Sequence, residues 1–106
     1  MRQFQTSVLE LRETISAGYT TQPFECAWAT EAIFFVHTDE AADSDLTAHA
    51  QISPDGIRWL DEGSVLHVPA TDQGSFVRLG NFGGWLRLRF DGEGATRMTI
   101  RLALKE

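Results

Sequence analysis

His37, His49, His67 and Cys26 are the side chains most able to do metal or nucleophilic chemistry here, and their spacing favours neither. The histidines are far apart, and no two form a tight ligand pair such as H-x-H. A structural zinc site draws on paired Cys or His ligands, so no metal centre is expected. Cys26 is the only cysteine. It can form neither an intrachain disulfide nor a thiolate cluster, and beside Trp28 it reads as a small buried apolar residue of a chain kept in a reducing compartment. No serine stands in a G-x-S-x-G elbow. Gly80, Gly83 and Gly84 precede a strand pattern rather than a helix, so they read as a turn and not as a phosphate cradle. The expectation is a protein that is not an enzyme and uses no cofactor.

Charge says more. The chain of 106 residues has a formal net charge of -6, which argues against nucleic-acid or anionic-membrane binding by the molecule as a whole. Its distribution is uneven. Up to residue 73 the only cations are Arg2, Arg12 and Arg58, whereas Arg78, Arg87, Arg89, Arg97, Arg101 and Lys105 follow with only Asp91, Glu93 and Glu106 among them. The longest apolar run, Ala32 to Val36, is far short of the roughly 18 residues of a membrane span, and the first residues carry no signal-peptide apolar region. The expectation is one domain over residues 1–106, soluble and cytoplasmic.

The elements that must position the arginines alternate with period two, the mark of half-buried strands. Met98, Ile100, Leu102 and Leu104 alternate with Arg97, Thr99, Arg101 and Ala103; Leu86, Leu88 and Phe90 alternate with Trp85, Arg87 and Arg89; Val77 and Leu79 alternate with Phe76 and Arg78. Turn-rich segments join them, Asn81-Phe82-Gly83-Gly84 and Asp91-Gly92-Glu93-Gly94, so a three-stranded antiparallel meander is predicted. Upstream, Leu46 to Ile52 alternates, Ser53-Pro54-Asp55-Gly56 turns with a bulge at Gly56, and Ile57 to Leu60 resumes a strand. Asp61-Glu62-Gly63 reads as a further turn before Val65 to Val68. Val8 to Ile15 reads as a strand with a register break at Val8-Leu9. Residues 24–36 could be helical by propensity, but the alternation of Phe24, Cys26 and Trp28 and the run Ile33-Phe34-Phe35-Val36 favour two strands, Pro23 to Trp28 and Ala32 to Thr38. About eight or nine short strands separated by turns predict an all-β, antiparallel two-sheet sandwich of jelly-roll type.

Within the meander, register keeps apolar residues together, because a slip of one residue would turn a strand inside out. Leu79 then pairs with Leu86 and Leu88 with Met98, which sets Arg78 opposite Arg87 and Arg89 opposite Arg97. Phe76, Arg78, Trp85, Arg87, Arg89, Arg97 and Arg101 would share one outer face. Directly opposed like charges destabilise a sheet, so such a face calls for carboxylates or a partner. Arginine with aromatics is also the composition of interface hot spots.

The segment Ser53-Pro54-Asp55-Gly56-Ile57-Arg58-Trp59 resembles the S-x-D-G-x-x-W hairpins of discoidin-type and carbohydrate-binding β-sandwiches and of small phage or bacterial surface sandwiches. It is also similar to the sialidase Asp-box, but with different spacing and a single copy. The resemblance implies a β-sandwich fold, with Asp55 capping the turn and Trp59 packing beside it. Two functions follow as expectations. One is a structural module that self-associates, or docks on an acidic protein partner, through the arginine-aromatic face. The other is a module that binds a glycan or another anion through the same side chains.

Overall fold

The structure, a computed structural model, describes residues 3–39, 45–69, 74–80 and 82–106. Eight strands run in chain order: β1 Phe4–Ser16, β2 Phe24–Glu25, β3 Glu31–Thr38, β4 Leu46–Ser53, β5 Leu60–Val68, β6 Gly74–Gly80, β7 Trp85–Gly92 and β8 Ala95–Lys105. They form two four-stranded antiparallel sheets. Sheet I has the order β1-β8-β3-β6 and sheet II the order β2-β7-β4-β5.

One core lies between the sheets. Ile15, Phe34, Val36, Met98, Ile100, Leu102 and Leu104 enter it from sheet I, and Leu46, Val68, Leu86, Leu88 and Phe90 from sheet II, each at most 1% exposed. The alternation read from β7 and β8 therefore gives the inward and outward faces correctly. Cys26 is fully buried with them, its thiol pushed up to about 12 first by burial and then by Glu25. Buried side chains such as Thr21 are paired: its hydroxyl accepts from Leu88 N at 3.0 Å while its own N–H donates to Leu88 O at 2.9 Å.

The meander does not form. β6 and β8 belong to sheet I, where β3 lies between them, while β7 belongs to sheet II beside β4. Period two fixes which side of a strand seeks the core but not which strand lies alongside it. An apolar row is buried equally well by facing another row across a sandwich, and that is the solution adopted. Between β7 and β8, Gly92 and Gly94 take φ values of 133° and 79°. A Cβ at Gly92 would come within 2.9 Å of the Asp45 carbonyl oxygen and of Leu46, so only glycine fits where β7 passes β4.

Other segments differ from expectation locally. Pro23 to Trp28 shrinks to the two residues of β2, because Ala29 N–H donates to Cys26 O at 3.0 Å and closes a turn. Asp61-Glu62-Gly63 is not a turn but a bulge inside β5: Asp61 opposes Gln51, Val65 opposes His49, and Gly63 has φ 113°. Strand geometry resumes at Leu60 rather than Ile57. The break read at Val8-Leu9 is present as a register shift between Val8 and Glu10, followed by a second before Glu13. Within it Arg12 adopts φ 52°, and its N–H donates to Thr99 Oγ1 at 3.2 Å.

Candidate functional site

The seven residues expected on one surface lie on two. Phe76 and Arg78 of β6 and Arg97 and Arg101 of β8 occupy the outer face of sheet I, whereas Trp85, Arg87 and Arg89 of β7 occupy the outer face of sheet II. The opposed arginines also disappear. Arg78 lies opposite Ile33, Arg101 opposite Phe35 and Val8, and Arg97 opposite Thr14. Arg87 lies opposite Gln51 and Arg89 opposite His49.

The sheet II face is an intramolecular polar network. Arg87 Nε donates to Gln51 Oε1 at 2.7 Å, and Gln51 Nε2 donates to Asp61 Oδ1 at 2.9 Å. The Arg87 guanidinium stacks 4.3 Å from the centre of the Trp59 ring. Partial burial, and secondarily Arg89, lower its pKa from the usual arginine value. Arg89 Nη1 donates to Asp91 Oδ1 at 2.6 Å, its Nη2 lies 3.8 Å from Asp61 Oδ2, and His49 Nε2 is 3.0 Å from Asp91 Oδ2. The chain's own carboxylates thus satisfy Arg89.

The hairpin before β5 closes over one end of this face. Ser53 Oγ accepts from Gly56 N at 2.8 Å and Asp55 N at 3.2 Å, while Asp55 Oδ1 accepts from Ile57 N at 2.9 Å and Arg58 N at 3.0 Å. The backbone N–H groups of Arg58 and then Ile57 hold the Asp55 carboxyl below its ordinary pKa. Gly56 has φ 77°, as its place in the turn requires, and a Cβ there would sit 3.2 Å from the Trp85 indole. Asp55 caps the turn as expected. The ring against the glycine is Trp85, while Trp59 serves as the platform for Arg87.

The sheet I face is apolar and basic. Phe35 on β3 sits between Arg101 of β8 and Phe76 of β6, with the two phenyl centroids 6.4 Å apart and inclined at 39°. Arg78 lies 4.9 Å from the Phe76 centroid, and Lys105 Nζ 5.8 Å from that of Phe4. Phe35 is 41% exposed, Phe76 50% and Val8 51%, large values for apolar side chains at the middle of strands. Two shallow hollows flank the phenylalanine pair. One of about 350 Å³ is lined by Phe35, His37, Gly74, Phe76 and Arg101, and one of about 310 Å³ by Glu31, Ile33, Arg78, Gly80 and Lys105. Arg97 lies at the far end of this face with interactions of its own.

Phe4, Val8, Ile33, Phe35 and Lys105 were not singled out by motif. The run Ile33 to Val36 carried the signal, since it is apolar at odd and even positions alike and so must leave one apolar row outside. Among the described residues, no group of three or more His, Cys, Asp or Glu is placed to hold a metal ion.

No protein-family model matches the chain, and no curated protein matches it in sequence. Solved structures do match it in shape. The SPBc2 prophage-derived protein YomS superposes with a TM-score of 0.67 at 4% identity, over 100% of this chain and 96% of that one. The PBSX exported protein XepA gives 0.62 at 11% identity over 98% of this chain, which spans only 36% of XepA. A structure described as Bacillus endospore appendages that form disulfide-linked pili gives 0.53 at 10% identity, over 99% of this chain and 88% of that one. At such identities the likeness is one of fold: the chain is an antiparallel two-sheet β-sandwich of the kind found in phage-derived and spore-appendage proteins.

Proposed function

We propose that the protein is a non-enzymatic structural module that assembles with a protein partner through the outer face of sheet I. The observation that carries this reading is the Phe35–Phe76 pair, held half out of the fold between Arg78 and Arg101. Exposed aromatics beside arginine are the make-up of interface anchors, and an apolar patch on a sheet face gains stability only when something covers it. The edge of sheet I at β1 is a poorer contact, because two register shifts and the left-handed Arg12 interrupt its ladder. Structural likeness to a pilus-forming protein is compatible with assembly, but disulfide linkage does not carry over, since the only cysteine is buried.

The test is Phe35→Ser combined with Phe76→Ser, followed by sedimentation across a concentration series. Aromatic anchors are worth about 2 kcal/mol each, so association should weaken by up to about a thousandfold while the melting transition stays close to that of the wild type. A variant that associates like the wild type, or a wild type that is monomeric throughout, contradicts self-assembly through this face.

The sheet II face favours a second reading, a site for a glycan or another anion, through the Trp59 ring beside Arg87, Gln51 and Asp61. Tryptophan fluorescence titrated with acidic oligosaccharides tests it. A saturable change lost in Trp59→Ala supports this reading, and no change counts against it.

A further inference from the structure

We infer that the partner of the sheet I face is the sheet II face of a second copy of this chain, so that copies stack head to tail. The inference rests on the docking role of sheet I proposed above and names its occupant from the charges. On the outer face of sheet I, among the described residues of β3, β6 and β8, Arg78, Arg101 and Lys105 outnumber Glu31, with Asp39 at the rim of the face, even with Arg97 set aside. On the outer face of sheet II, Glu25, Asp61 and Asp91, with Asp45 at its rim, outnumber Arg87 and Arg89. The two faces of one sandwich therefore carry opposite charge.

Like-on-like pairing is the poorer arrangement. Two sheet I faces would set Arg78, Arg101 and Lys105 against their own copies, and two sheet II faces would do the same with the carboxylates. Only sheet I on sheet II sets guanidinium and ammonium groups against carboxylates, with the planar forks of Arg78 and Arg101 suited to bidentate pairing. The Asp61 and Asp91 side chains are 56% and 47% exposed even while they contact Arg89, so oxygen lone pairs remain available to a second arginine. Apolar matching agrees, since the sheet II face offers Val65, 55% exposed, and the half-buried Trp59 to the Phe35–Phe76 pair. Size is sufficient too. The molecule measures 43 × 28 × 19 Å, and a face bounded by the two longer dimensions exceeds the roughly 800 Å² per partner of a standard interface. A contact between two different faces leaves one of each kind free at the ends, so the stack continues unless its rotation closes a ring.

Complementation tests the inference. Variant one, Arg78→Glu with Arg101→Glu, spoils the sheet I face; variant two, Asp61→Lys with Asp91→Lys, spoils the sheet II face. A third, Glu25→Lys with Asp45→Lys, leaves the Arg89–Asp91 pair intact and replaces variant two if melting shows that variant two is unfolded. Light scattering of wild-type protein should show masses above the dimer that fall as salt rises, with association about tenfold weaker from low to high ionic strength. Each variant alone should be monomeric, because both of its faces then carry the same sign, and the mixture of variant one with a sheet II variant should associate again, because each supplies the native face that the other lacks. If the sheet II variants still self-associate alone while variant one does not, the sheet I face is a contact surface but the stacking arrangement is overturned. If none of the variants changes the mass of the wild type, the docking role of sheet I falls as well.

Discussion

Tyr19 shows how a single side chain reports on the fold. Its hydroxyl donates to Glu10 Oε1 at 2.6 Å, and burial, with Glu10 and Glu13 adding to it, raises its pKa to about 12. A phenol whose folded pKa exceeds the unfolded value of about 10 stabilises the fold fully below that pH, and the contribution is lost as pH rises from about 10 to 12. Tyr19 is the only tyrosine, so its phenolate absorbance titrates one site. The expected midpoint is near 12 in native protein and near 10 in denaturant, and Tyr19→Phe should cost about 1 kcal/mol at neutral pH. An ordinary native midpoint would show that Tyr19 is neither buried nor held by Glu10 as described. This pair was not legible in the sequence, because the bulges between Val8 and Glu13 turn Glu10 toward Tyr19 instead of out to solvent. Gly56 was legible, since the Pro-Asp-Gly turn chemistry dictates its φ before any tertiary contact is known.

Strand existence and facing were also largely legible, and strand neighbours were not. Alternation in β7 and β8 told which side of each strand is buried, yet it is blind to whether the next strand pairs alongside or crosses the core. The five arginines were thus correctly placed outside but wrongly placed together. Gly92 at the end of β7 is where that strand passes closest to β4. Gly92→Ala, with φ 133° and a 2.9 Å approach to the Asp45 carbonyl, should lower stability by about 1–3 kcal/mol. Gly80→Ala, at the end of β6 with open space around it, should stay within about 0.5 kcal/mol of the wild type. Denaturant unfolding of the two variants measures both. Equal effects would mean that the close passage of β7 by β4 is not a constraint on this fold.

For the whole molecule, a sandwich has two outer faces, and here they differ. The arginines of sheet II are tied to Gln51, Asp61 and Asp91 within the chain, which leaves sheet I as the face with exposed aromatics. Composition hinted at a contact surface through its late cluster of arginines, but the aromatic centre of that surface, Phe35, comes from β3, earlier in the chain than the arginines it joins. Only pairing of β3 between β6 and β8 brings Phe35, Phe76 and Arg101 together. Backbone amide NMR spectra recorded along a dilution series test this placement most directly. Concentration-dependent shifts should gather at Ile33, Phe35, Phe76, Arg78 and Arg101, with a second set at Trp59, Asp61 and Val65 if copies stack, while the core strands' inward residues stay still. Shifts confined to the β1 edge, or spectra unchanged from the most dilute to the most concentrated sample, would contradict the assignment of the sheet I face as the surface through which the protein assembles.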